Sequence, residues 1–208
     1  MPTIRIVICA LLAFISAPAG AHNYLQALEA PAGYVQDIIM RVPHGCKGSP
    51  VNQVRVKIPE GMFRVTVAWR DDWDITVKMR PVDPPIQMKG GMPPVTETVD
   101  EIMWSNPKNV LPPDRVGEFK FRGLLPNEPG KIVFFRTLND CPEGDDYYVD
   151  LPPEPLDLDD PEFHTKFWGF MSATATPAPY LILVKPDRPQ YPWQWTQLED
   201  RRPHASQD

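Results

Sequence analysis

Cysteine, histidine and long apolar runs are all scarce in this chain of 208 residues. Its three cysteines and four histidines are too few and too scattered for a zinc-ligand pattern. No apolar run reaches the about 20 residues that span a bilayer, so no membrane span is expected in the mature chain. Basic residues are in deficit, with 21 Lys and Arg against 27 Asp and Glu and a formal net charge of −6. That balance argues against nucleic acid and anionic membrane surfaces as partners, and it favours small cations or basic partners. Hydrolase and nucleotide signatures are missing too: there is no G-x-S-x-G elbow, no H-E-x-x-H and no phosphate-binding glycine loop. Twenty-seven prolines exclude long helices almost everywhere, and no helix longer than a turn or two is expected.

What is present begins at the N-terminus. Arg5, the apolar run Ile6 to Ile15 and the small-residue site Ala19-Gly20-Ala21 form the three parts of a secretory signal peptide. Residues 1–21 are therefore expected to be removed on export to the periplasm or cell surface, leaving His22 first. Cys9 leaves with them. The two remaining cysteines, Cys46 and Cys141, are expected to form a disulfide in an oxidising compartment.

Period-two alternation fills the rest of the chain. In 53–58 the apolar Val54, Val56 and Ile58 alternate with polar residues, and in 63–69 Phe63, Val65, Val67 and Trp69 share one face. A third run puts Trp73, Ile75, Val77 and Met79 together. Strands are also expected at 24–28, 34–42, 96–104, 116–122, 131–137, 146–150 and 180–184, separated by Pro- and Gly-containing turns. Many short strands at near-regular spacing predict an all-β, immunoglobulin or fibronectin type III-like sandwich over residues 22–185. The acidic, proline-rich stretch 150–162 reads as an irregular surface loop. Residues 186–208 read as a tail in which Trp193 and Trp195 could pack back on the sandwich or mark a partner surface.

The candidate chemistry sits on histidine. A chain that starts at His22 offers a free α-amine and the ring Nδ1 from one residue, two nitrogens that close a chelate ring of the kind copper favours. His44, in Val42-Pro43-His44-Gly45-Cys46, stands at a strand end and is tied close to the expected disulfide. His164, amid Phe163, Phe167 and Trp168, reads as a partly buried structural residue, and His204 lies in the tail. Met88 and Met92 flank Lys89-Gly90-Gly91 and offer two thioethers, a Cu(I)-type donor pair.

Several motifs taken in order resemble one family. They are Ala21-His22, Glu29-Ala30-Pro31-Ala32-Gly33, Arg41 to Pro50 (RVPHGCKGSP), Val54 to Gly61 (VRVKIPEG), Trp73, Glu101-Ile102-Met103-Trp104-Ser105, Glu118 to Pro126, Cys141 and Pro177-Ala178-Pro179. Together they are similar to the YcnI-like family of exported copper-binding proteins. The resemblance implies a copper-binding β-sandwich in which the N-terminal histidine holds Cu(II) as a single-histidine brace. It implies His22 as the brace, Trp104 as the tryptophan beside the metal, and a third ligand supplied here by His44, with Glu29 as the alternative carboxylate. Asn106-Pro107 stands where glycines often follow the Trp-Ser pair.

The expected function is sequestration, buffering or delivery of copper without catalysis, with a copper chaperone or membrane copper transporter as partner. Two other readings stay open. One is a copper-dependent oxidase or oxygenase that uses the same brace; the other is an adhesive or assembly module whose terminal histidine is incidental.

Overall fold

A computed structural model describes residues 22–43, 45–87 and 93–190. The expected leader 1–21, His44, Met88, Met92, Trp193, Trp195 and His204 lie outside the described residues. Among the described residues, twelve strands run in chain order. They are β1 (Tyr24–Leu25), β2 (Glu29–Pro31), β3 (Val35–Val42), β4 (Gln53–Lys57), β5 (Phe63–Val67), β6 (Asp74–Ile86), β7 (Val95–Ser105), β8 (Gly117–Leu124), β9 (Ile132–Phe134), β10 (Thr137–Cys141), β11 (Gly144–Tyr148) and β12 (Tyr180–Val184). The fold is all-β and immunoglobulin-like.

Two sheets make the sandwich, one in the order β1-β3-β8-β5 and the other β11-β10-β4-β7-β6. The alternation read from the sequence explains how they face each other. In β8, Phe119 and Phe121 point inward and Glu118, Lys120 and Arg122 point out. In β4, Val54 and Val56 are fully buried, and in β7 so are Ile102 and, at 1% exposure, Trp104. Trp104 meets Phe119 across the core, with ring centroids 5.4 Å apart. A third sheet, β2-β12-β9, contributes Ala30, Val133, Leu181 and Leu183 to the same core. Cys46 and Cys141 form the expected disulfide, which ties the short 3-10 turn Cys46–Gly48 to the end of β10. Glycine is required just before that turn, because a Cβ on Gly45 would overlap the Ser49 carbonyl.

The sequence reading needs correction in five places. A helix, α1 (Phe163–Ala173), exists where none was expected. Its Phe163 and Phe167, one turn apart, bury against Ile132 and Leu156 in a second apolar cluster, and that packing carries the helix despite Gly169 in its interior and the absence of a side-chain cap. His164, whose ring lies edge-on to Phe163 with centroids 5.4 Å apart, is exposed rather than partly buried. Trp69 does not share the face of β5: the strand ends at Val67, and the indole is 87% exposed. The run 131–137 is two strands, β9 and β10, in different sheets. β6 extends to Ile86 through Pro81, Pro84 and Pro85, which it tolerates because it is an edge strand whose missing N–H groups cost the sheet nothing.

Candidate functional site

The N-terminal segment is held from three directions. Asn23 is 3% exposed, an unusual degree of burial for an amide this near the expected terminus. Its Nδ2 donates to Thr137 Oγ1 (3.2 Å) and to Asn139 Oδ1 (2.9 Å). Asn139, fully buried, returns a bond from its own Nδ2 to Asn23 Oδ1 at 3.1 Å. Both partners belong to β10, so the segment is pinned to one sheet through side chains. It is pinned to the other through the backbone of β1, in register Tyr24↔Arg41 and Leu25↔Met40 with β3.

His22 itself is exposed, but its ring is placed. The imidazole lies edge-on to Tyr148 of β11, with centroids 5.6 Å apart, and its Nε2 is 3.0 Å from the Ala175 carbonyl. A carbonyl oxygen only accepts, so Nε2 carries the proton and donates. In the neutral ring Nδ1 is then the unprotonated nitrogen. That is the atom which, with the α-amine, closes a chelate ring.

Asp150 holds the turn that presents Ala175. Its carboxylate accepts from the hydroxyls of Thr174 and, at 2.6 Å, Thr176. Its backbone N–H donates to Thr176 O (3.1 Å), and its carbonyl accepts from Ala178 N (3.0 Å). The two hydroxyl bonds hold the Asp150 carboxyl below its ordinary range. Under the His22 ring, Tyr148 is 5% exposed, and burial, then the Asp146 charge and hydrogen bond, push its phenol up to about 12. Tyr148 therefore stays neutral at any physiological pH. The β10–β11 hairpin also carries Asp140, Glu143, Asp145 and Asp146; Asp140 faces Arg55 at 4.0 Å, and Asp146 accepts the hydrogen bond of the Tyr148 phenol.

The other residues singled out from the sequence lie elsewhere. Glu29 is exposed in β2, its backbone paired with Ile182 of β12. Trp104 is in the core, and Val54 pairs with both Trp104 and Asn139, so the backbones of Trp104 and Asn139 lie two strand spacings, about 10 Å, apart. Among the described residues no group of three or more His, Cys, Asp or Glu side chains converges as a metal site. A cavity of about 550 Å³ opens on the outer face of the five-stranded sheet, lined by Lys57, Arg80, Asp100, Phe134 and Arg136 among others, and it includes none of the groups around His22. The contacts with Asn139, Tyr148 and Ala175 had no signal in the sequence, because Ala175 is 153 residues from His22 in the chain.

The fold and the gripped N-terminal segment define an immunoglobulin-like β-sandwich with a positioned histidine at residue 22. The chain belongs to the family described as a domain of unknown function, DUF1775, whose model matches residues 22–165 and which includes the YcnI-like proteins. Ala175 and the helix before it lie mostly beyond that match. Among solved structures, an uncharacterized protein from Nocardia farcinica with an immunoglobulin-like fold is similar, with 19% identity and a TM-score of 0.53 over 79% of this chain and 99% of that one. That likeness concerns the fold alone. No curated protein matches the chain. No helix among the described residues is long and apolar enough to cross a membrane.

Proposed function

We propose that the protein is exported, begins at His22 once residues 1–21 are removed, and binds one Cu(II) through the His22 α-amine and Nδ1 in order to store, buffer or hand on copper. The observation that carries this reading is the Nε2–H bond to Ala175 O. Metal-binding histidines commonly give their second ring N–H to a backbone carbonyl, which fixes the tautomer and the ring plane, and here the bond leaves Nδ1 free. His44, tied close to the disulfide at Cys46 in the sequence, is the proposed third ligand; Glu29 is the alternative. The recipient of the metal would be a copper chaperone or a membrane copper transporter.

The test is Cu(II) titration of protein that starts at His22. One ion should bind tightly with nitrogen-dominated electron paramagnetic resonance, and acetylating the amine should abolish most of the affinity, because an amide nitrogen has lost its lone pair to resonance. His22→Ala should match acetylation. His44→Ala should then alter the spectrum more than Glu29→Gln; the reverse order transfers the third position to Glu29. Unchanged binding after acetylation refutes the brace. Turnover of ascorbate and oxygen would favour an oxidase, and no copper binding at all would leave an adhesive or assembly module.

A further inference from the structure

A two-nitrogen chelate from one residue has a geometric demand that a single ligand does not. The α-amine and Nδ1 must both point at one spot, so the backbone torsion of residue 22 and both ring torsions must be fixed together. Chain termini ordinarily fray unless tied down. In this protein the residue after His22 is anchored in the core and the ring of His22 is anchored to a distant turn, by two separate polar devices.

The first device is the reciprocal amide pair, with Asn23 Nδ2 on Asn139 Oδ1 and Asn139 Nδ2 on Asn23 Oδ1, completed by Thr137 Oγ1. Two buried amides are a poor choice if stability is the only need, since apolar side chains of the same shape usually serve as well. What an amide pair adds is direction: it admits one register and one depth for residue 23. The second device is Asp150, which ties down Thr174 and Thr176 on either side of Ala175 and so fixes the carbonyl that receives His22 Nε2.

We infer that Asn23, Asn139 and Asp150 are positioning residues, a two-sided clamp that prearranges His22 for chelation through contacts that never touch the metal. This rests on the copper reading above. The clamp acts on the N-terminal residue from both ends: Asn139 sets where the backbone enters, and Asp150 sets where the ring stops.

The experiment compares protein starting at His22, with the disulfide intact, as wild type, Asn139→Ala and Asp150→Ala. Three quantities are read: Cu(II) affinity by chelator competition, the electron paramagnetic resonance spectrum, and, without metal, the ¹⁵N shifts of the His22 ring. Thermal unfolding and near-ultraviolet circular dichroism report folding. Both variants should bind Cu(II) on the order of ten-fold or more weakly, the usual effect of losing a group behind a ligand. Their spectra should broaden into more than one species, and the metal-free ring should lose the single Nε2–H tautomer. Asn139 is fully buried, so if Asn139→Ala does not fold, the half-buried Asp150→Ala and the isosteric Thr137→Val decide. Folded variants with wild-type affinity and spectrum overturn the clamp while leaving the copper reading standing. Wild-type protein that binds no Cu(II) at residue 22 overturns both.

Discussion

Two aromatic or imidazole side chains in this molecule, His22 and Trp104, were legible in the sequence to very different depths. His22 was visible because the expected small-residue cleavage site ends immediately before it; its geometry was not, since the groups that hold it come from β10, β11 and the turn after α1. Trp104 was visible through a family resemblance that puts a tryptophan beside copper, on a strand expected over 96–104. The structure packs it at 1% exposure against Phe119 and Phe121, two strands from the amide that holds Asn23. Truncating a buried indole removes its contacts and leaves a cavity that the rigid β-sheets cannot fill, at a typical cost of about 3–5 kcal/mol. Trp104→Ala should lower the free energy of unfolding in urea by that order, and Trp104→Phe should lower it less. A Trp104→Ala protein as stable as wild type would mean that the core closes over the gap.

At the level of elements, strands were predictable where one face is wet and one dry, because the period of two then appears in the residues themselves. β3, β4, β7 and β8 are such strands, and their expected and observed spans nearly coincide. The failures share a cause, which is that tertiary context overrode local pattern. Helix α1 has little amphipathic signal of its own and is made by the pocket that receives Phe163 and Phe167, while β6 runs through three prolines because, among the described residues, no strand pairs with its outer edge. The disulfide was legible from cysteine count and compartment alone. It links residues 95 apart, and a loop of that length removes roughly 4–5 kcal/mol of unfolded-state entropy on the chain-entropy model. Replacing Cys46 and Cys141 together by Ala should therefore lower the unfolding midpoint substantially. Hydrogen exchange should rise first around the 3-10 turn and the β10–β11 hairpin, which the bond joins. Exchange that rises uniformly would instead assign the bond to global stability alone.

For the whole molecule, acid and alkaline limits of the fold can be set apart from the pH dependence of its proposed activity. Asp100 is held below its ordinary carboxyl range mainly by the hydrogen bond from Lys57, at 2.6 Å, and Asp37 by Lys120 and Arg122. A carboxyl depressed in the folded state contributes stability that is whole above its unfolded value of 3.8 and is lost as pH falls below it. Tyr148 has the opposite sign. Raised from 10.0 to about 12 in the folded state, it contributes stability that is whole below 10.0 and is lost as pH rises towards about 12. Between those limits none of these three groups changes its contribution. The α-amine of His22 would titrate inside that window, at the usual value of about 7.7–8.0, and Cu(II) must displace its proton to bind. Apparent Cu(II) affinity should therefore climb about ten-fold per pH unit below roughly pH 7.5 and level off above roughly pH 8.5, while the thermal midpoint of the metal-free protein stays nearly flat over the same range. Acetylated protein should lose the climb along with the affinity. Should affinity and thermal midpoint instead rise together, the proton being lost belongs to folding, and the amine is not the ligand.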